Sequence, residues 1–180
     1  MKKIILTVFA ATSLLLYSTP SFALLSVSVG MPMAYTFADG GSNSNTAGYF
    51  LGVQLPFALG LGMDSHKIKA TDDNPLELHT NMYNLFYQLP IPVINLILGV
   101  GTGSQSLECD DFGNGKSCSD IYDKGSATQL YTSLGFPIMQ LFDLHISYRM
   151  ITSKNIKIKA SEVKADFSGS VTGIGLAFNF

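Results

Sequence analysis

The chain has no tryptophan and only two cysteines. Asp, Glu, Lys and Arg together make up just 13% of its 180 residues. Basic residues are the scarcer charged class. Once Lys2 and Lys3 are set aside with the N-terminal segment, 11 − 2 = 9 basic residues stand against 13 acidic ones, a net charge of 9 − 13 = −4. That balance excludes nucleic acid as an expected partner, because phosphate binding needs a basic surface. Two cysteines are too few for a structural zinc site, which takes four ligands, and no metal or cofactor is expected. Long apolar runs are also missing beyond the N-terminal segment: none approaches the roughly 18 residues that mark a helical membrane span. A chain that is 47% hydrophobic without such a run is either a soluble domain with an apolar core or a barrel with its apolar face outward.

The first residues decide the compartment. Met1, Lys2 and Lys3 form a basic start, followed by an apolar run over 4–17 and a polar stretch with Pro20 that ends in Ser21-Phe22-Ala23. This order predicts a secretory signal peptide over 1–23, cleaved between Ala23 and Leu24. Its apolar run falls short of the about 20 residues of a spanning helix. In an exported protein Cys109 and Cys118, close together in a polar and acidic stretch, read as a disulfide.

Period-two alternation runs through the remaining 24–180. Leu25, Val27, Val29, Met31, Met33, Tyr35 and Phe37 share one face, while Ser26, Ser28, Gly30, Pro32, Ala34 and Thr36 share the other. Strand side chains alternate in this way, and no helix separates them so cleanly. The pattern recurs around Tyr49–Leu55, 57–64, 82–89, 94–101, 129–136, 142–150 and 171–180, which predicts eight strands. Connections alternate between tight turns with proline (Pro56, Pro90 with Pro92, and Pro137) and long polar loops over 38–45, 70–76, 105–125 and 152–166. Short turns on one side and long loops on the other are the habit of outer-membrane barrels. The non-greasy face is mostly Gly, Ser, Ala, Asn and Gln, which fits a cramped barrel interior better than a water-exposed surface. Aromatic residues near strand ends, including Tyr35, Phe37, Tyr49, Phe57, Tyr83, Tyr87, Phe136 and Phe180, are expected to form interfacial girdles. The expected fold is therefore all-β, an eight-stranded antiparallel up-and-down transmembrane barrel.

With its signal peptide, eight alternating strands and ending Gly175-Leu176-Ala177-Phe178-Asn179-Phe180, the chain resembles small outer-membrane barrels of the OmpX and OmpA-transmembrane-domain type. The resemblance implies a bacterial outer-membrane location and outer-membrane lipids as surroundings. It also implies that Ile174, Leu176, Phe178 and Phe180 act as the signal read by the barrel-assembly machinery.

Ionisable residues collect on the inner face: Asp64 and His66 on the third strand, Asp143, His145 and Arg149 on the seventh. Unpaired charge in a narrow lumen is costly, so the carboxylates and the arginine are expected to pair. Inward glycines (Gly30, Gly52, Gly60, Gly62, Gly99, Gly101, Gly173 and Gly175) leave room for a cavity, and with it a narrow channel or carrier as an alternative function. His145-Ile146-Ser147 is similar to the His-x-Ser of the lipid A deacylases, but Tyr148 stands where that family has Asn. The pair also falls on the inner face, and no acidic orienting residue follows at matching spacing. Asp64-Ser65 is similar to the Asp-Ser pair of outer-membrane palmitoyl transferases, whose histidine in the first outer loop is missing over 38–45. The stretch 110–116 looks superficially like a calcium loop, but Phe112 and Ile121 occupy ligand positions. Lys154, Lys157, Lys159 and Lys164 make the last outer loop basic. These residues predict a non-enzymatic barrel with a structural or surface-interaction role through its loops, meeting a surface ligand or protein there.

Overall fold

The computed structural model describes residues 25–43, 45–71, 74–89, 91, 94–109, 118–139, 141–154, 156–157, 159 and 164–180. The predicted signal peptide, Ala23 and Leu24 therefore lie outside the described residues, as does the calcium-like stretch 110–116.

Eight antiparallel strands close into a barrel. They are β1 (Ser26–Phe37), β2 (Thr46–Gln54), β3 (Leu59–Thr71), β4 (Asn74–Leu89), β5 (Asn95–Glu108), β6 (Gly125–Met139), β7 (Phe142–Ser153) and β8 (Gly169–Asn179). Each pairs with its sequence neighbours, and β8 returns to β1 over a ladder running from Ser26–Asn179 to Phe37–Gly169. Closure removes the sheet edges, the condition for strands to span lipid, where unpaired backbone groups have no water to bond. A four-residue helix, α1 (Cys118–Ile121), sits in the third outer loop.

The alternation seen in the sequence becomes inside and outside. Leu61, Val100, Leu130 and Ile146, on four different strands, are 56–58% exposed on the outer surface. Tyr49, Tyr83, Tyr87, Tyr148, Phe136 and Phe180 join them there. A continuous greasy exterior of this kind is unfavourable in water, at roughly 25 cal/mol per Å² of apolar surface. In a bilayer it is the surface that seats the barrel.

Above this band the pattern inverts. On β3 the outward positions change from Leu59, Leu61 and Met63 to Ser65, Lys67 and Lys69, while Ile68 turns inward, 1% exposed. On β4 outward Tyr87, Leu85 and Tyr83 give way to Asn81, His79 and Glu77, with Met82 and Leu78 buried inside. The outer third is thus built like a water-soluble barrel, polar outside and apolar within. Its core joins Tyr35, Ile68, Leu78, Met82, Leu107, Cys118, Ala127, Ile151, Ile156 and Val171. Because they continue into this zone, β4, β5 and β6 reach 16, 14 and 15 residues, beyond the about 9–11 that a bilayer requires.

Four expectations from the sequence need correction. Tyr35 and Phe37 were expected on the greasy outer face. A bulge between Pro32 and Ala34 shifts the register of β1, so Tyr35 is fully buried and stacks on Phe37 at 4.8 Å inside the barrel mouth. One extra residue reverses the parity of everything beyond it. Phe57 is a turn tip and not a strand start: Phe57 and Ala58 have φ of 78° and 64°, and the amide of Leu55 donates to the carbonyl of Leu59 at 2.7 Å. Pro137 lies within β6, beside a register shift to Met139, a position where a strand tolerates a missing donor. The predicted loop over 70–76 is shorter than expected, since Thr71 and Asn74 already pair across the β3–β4 turn.

Candidate functional site

The site is the lumen and the rim above it. Strand alternation points Asp64, His66, Asp143, His145 and Arg149 inward, and all five are buried. They fall into two groups at different depths, with His66 standing apart.

In the middle of the lumen Arg149 Nε donates to Asp64 Oδ2 at 3.0 Å, with the two side chains only 7% and 2% exposed. The same carboxylate oxygen accepts from Gln129 Nε2 at 2.7 Å, and that nitrogen also reaches Asn84 Oδ1 at 3.0 Å. A second guanidinium nitrogen of Arg149 donates to Ser147 Oγ. The guanidinium carbon lies 3.5 Å from the centre of the Phe50 ring and 5.1 Å from that of Tyr131. The arginine is thus held by a carboxylate, a hydroxyl and two aromatic faces, partners that offset part of its desolvation. Sequence reasoning paired the charges but missed Gln129, Asn84, Phe50 and Tyr131. Their inward parity was the available signal.

Nearer the periplasmic turns, Asp143 is held by amides and not by a cation. Asn179 Nδ2 donates to Asp143 Oδ2 at 2.9 Å, Asn95 Nδ2 donates to the same oxygen, and Gln88 Nε2 donates to Asn95 Oδ1 at 2.7 Å. His145 Nε2 is 4.0 Å from Asp143 Oδ2, while its Nδ1 is 3.3 Å from Ser133 Oγ.

The glycines on the inner face do not leave an open pore. A Cβ on Gly60 would overlap the ring of Phe86, one on Gly99 the ring of Tyr131, and one on Gly173 would come within 2.5 Å of Phe50. Glycine here makes room for large rings from neighbouring strands. Among the described residues the lumen holds a cavity of about 50 Å³ beside Arg149, Asp64 and Phe50, and one of about 10 Å³ beside Asp143 and Gln88. Such volumes hold a few waters, at about 10–15 Å³ each. They do not hold an acyl chain.

Neither enzyme-like pair assembles a working arrangement among the described residues. Ser147 accepts from Arg149 and His145 contacts Ser133, so the His-x-Ser residues have separate partners inside the lumen. Asp64 points inward, whereas Ser65 lies on the outer surface and donates to Asn81 Oδ1 at 2.7 Å.

At the outer rim the disulfide Cys109–Cys118, with Cα atoms 5.4 Å apart, ties the top of β5 to α1. Cys118 is 1% exposed and Ile156 is fully buried, so the third and fourth outer loops both insert into the apolar mouth. The amide of Lys159 donates to the carbonyl of Ile121 at 2.8 Å and joins the two loops. Lys154 and Lys159 are exposed, and the backbones of Lys157 and Lys164 pair in a two-stranded ribbon. On the outer wall Glu77 binds Lys67 at 3.1 Å, Lys69 at 3.7 Å and His79 at 3.3 Å, and His79 also reaches Glu108 at 3.2 Å. Asp166 accepts the amide and hydroxyl of Ser168 at 2.9 and 2.6 Å, which holds its carboxyl below the usual carboxylate range. At the other end Leu176 and Phe180 are exposed, and Phe178 stacks edge-on against Phe142 at 4.8 Å. The amide of Phe180 donates to the carbonyl of Leu25 at 2.8 Å, bringing the two ends of the barrel together.

No family model matches the chain, and no curated protein matches it in sequence. Solved structures do match in shape. Neisserial surface protein A superposes with a TM-score of 0.65 at 13% identity, covering 87% of this chain and 97% of that one. The N-terminal β-barrel domain of OprF from Pseudomonas aeruginosa gives 0.54 at 12% identity, covering 86% and 97%. Ail, the attachment invasion locus protein of Yersinia pestis, in complex with the heparin analogue sucrose octasulfate, gives 0.54 at 15% identity, covering 87% and 97%. The fold of this chain is that of the small eight-stranded outer-membrane β-barrels.

Proposed function

We propose that this chain is an integral outer-membrane barrel that works by surface interaction through its outer rim, without transport through the lumen and without catalysis. The observation that carries this reading is the closed lumen. The Asp64–Arg149–Gln129 network fills the middle, and the apolar mouth capped by Cys118 and Ile156 fills the top. A path crossed by a buried ion pair and roofed with apolar side chains is a poor water column. The parts turned toward a partner are the polar outer wall and the loops. Among these, Lys154, Lys157, Lys159 and Lys164 make a basic loop on an otherwise acidic chain. Phosphate or sulfate groups are its natural counterpart, from outer-membrane lipids or from a polyanion, and a barrel of the same fold is described in complex with a heparin analogue.

Planar-bilayer recording and immobilised heparin test the two halves of the proposal. The purified barrel gives no discrete conductance steps, and recurrent steps of one size contradict the closed lumen. The wild-type barrel is retained on heparin until salt elutes it, while a variant with the four lysines changed to glutamine passes through. Equal passage of both forms contradicts the polyanion component.

A further inference from the structure

The two ends of the barrel differ in charge. The outer end carries Lys67, Lys69, Glu77, His79 and Glu108 on its wall alone. At the other end the sequence has no Asp, Glu, Lys, Arg or His over 50–63, 81–107 and 125–142, which hold the three tight turns and much of the strands they join. Nor are the turns polar in any other way. They read Leu55-Pro56-Phe57-Ala58, Pro90-Ile91-Pro92-Val93-Ile94 and Pro137-Ile138-Met139-Gln140-Leu141, in which Gln140 is the single polar side chain.

The fold turns these residues outward. Phe57 is 89% exposed and Met139 68%, and Leu55, Ile91, Ile138 and Leu141 are exposed as well. Phe57 and Ala58 hold φ of 78° and 64°, a region that favours glycine, so a phenyl ring stands at the tip of a turn that a smaller residue would suit better. Apolar tips are unfavourable in the aqueous periplasm, and exposed apolar patches mark surfaces that meet a protein partner or a membrane.

The height of the lipid-facing wall decides between these two. On β2 the outward apolar residues run from Tyr49 to Leu55, and Tyr49 pairs with Ser65, where the outward face of β3 turns polar. The six residue steps from Tyr49 to Leu55, at about 3.3 Å each and a tilt of about 40°, give about 15 Å of depth. At the same rise and tilt β1 from Leu25 to Met33, and β6 from Leu130 to Ile138, reach about 20 Å. The apolar band of an outer-membrane barrel is about 25 Å tall. These strands fall short of it, β2 by the most, and the wall of β2 ends in the most exposed apolar tip, Phe57.

We propose that the three tight turns are a lipid-docking surface, set at the boundary between acyl chains and head groups of the inner leaflet, with phospholipid as their occupant. Their rings and aliphatic tips complete the apolar band that the strands leave short, which removes the mismatch with the bilayer. Phospholipid chains ask for no charge and no directional bond from the side chains, and these side chains offer none. The turn backbones stay within reach of the head groups, so the turns dip no deeper than this boundary.

The chain has no tryptophan, so Phe57→Trp and Met139→Trp, made singly, each add one reporter. The full barrel is placed in phosphatidylcholine nanodiscs, which leave both faces open to water. Lipid brominated on the upper acyl chain quenches from the lipid side, and iodide quenches from the water side. Tyr87→Trp on the lipid-facing wall and Lys154→Trp in the outer loop set the two limits. At both turn tips bromine quenches within twofold of Tyr87→Trp, and iodide quenches at least fivefold less than at Lys154→Trp. Heat-dependent gel mobility confirms that each variant is folded, and if one tip variant does not fold the other decides. Weaker bromine quenching or stronger iodide quenching overturns the proposal and leaves the turns in water, open to a periplasmic protein.

Discussion

Replacing Asp64 with alanine leaves the guanidinium of Arg149 in the middle of the lumen without its carboxylate. Both side chains are nearly inaccessible, 7% and 2% exposed, so bulk water does not solvate the orphaned charge, and the adjoining cavity of about 50 Å³ admits only a few waters. Breaking a buried pair by removing one member costs about 3–5 kcal/mol. Arg149 keeps Ser147 and its two aromatic faces, and a desolvated cation–π contact retains about 2 kcal/mol. The expected net destabilisation is therefore near the low end, about 3 kcal/mol. Urea unfolding of the barrel in phospholipid vesicles, followed by circular dichroism because the chain has no tryptophan, measures it. The same titration on Arg149→Met and on the double variant completes a cycle. The double variant should be more stable than Asp64→Ala alone, because no orphaned charge remains. A loss under about 0.5 kcal/mol for Asp64→Ala, the size of an ordinary surface substitution, would refute the reasoning.

Other outcomes follow from the same geometry. Gly99→Val should destabilise the barrel by about 1–3 kcal/mol through overlap with Tyr131, measured by the same unfolding assay, and Tyr131→Leu in the same chain should recover part of the loss. Cys109→Ser/Cys118→Ser opens a bridge of sequence separation 9; by loop entropy it should lose about 2–3 kcal/mol while the heat-dependent gel shift persists. Ala58→Gly relieves a φ of 64° and should stabilise the first turn by about 1 kcal/mol, and a destabilised variant contradicts the turn geometry. Asp166 should titrate below its ordinary value of 3.8 because Ser168 bonds its ionised form. A depressed carboxylate contributes stability above its unfolded value and loses it as pH falls through the folded one. Carboxyl-carbon NMR should therefore show the Asp166 midpoint below 3.8, moving up in Ser168→Ala; a midpoint unmoved by that substitution contradicts the contact.

The barrel itself was legible because period-two alternation leaves only one physical solution for Leu59, Leu61 and Met63, or Tyr83, Leu85 and Tyr87. The outer zone was legible in principle but fell beyond the alternation followed over 57–64 and 82–89, and in part within the loops expected over 70–76 and 105–125. Apolar residues switch from odd to even positions between Met63 and Ile68, and from even back to odd between Leu78 and Tyr83. A change of phase resembles the end of a strand when only the greasy face is followed. It is in fact a strand crossing from lipid into water, where the preferred face reverses. The inward turn of Tyr35 was hidden for another reason: a one-residue bulge leaves no mark in composition, and Pro32 was its only trace. The five ionisable lumen residues could be placed by parity alone. Which of them would touch could not, because the Arg149–Asp64 pair joins β7 to β3 across the barrel, and such contacts depend on closure and shear.

The most direct test of this two-zone barrel is a spin-label scan of the outward positions of β4 in lipid bilayers, from residue 77 to residue 87. Collision rates with oxygen and with a water-soluble nickel reagent report lipid and water at each site. Oxygen should dominate at Tyr83, Leu85 and Tyr87, and the nickel reagent at Glu77, His79 and Asn81. Nickel-dominated collisions along the whole strand would show a barrel standing in water, and the account would be wrong.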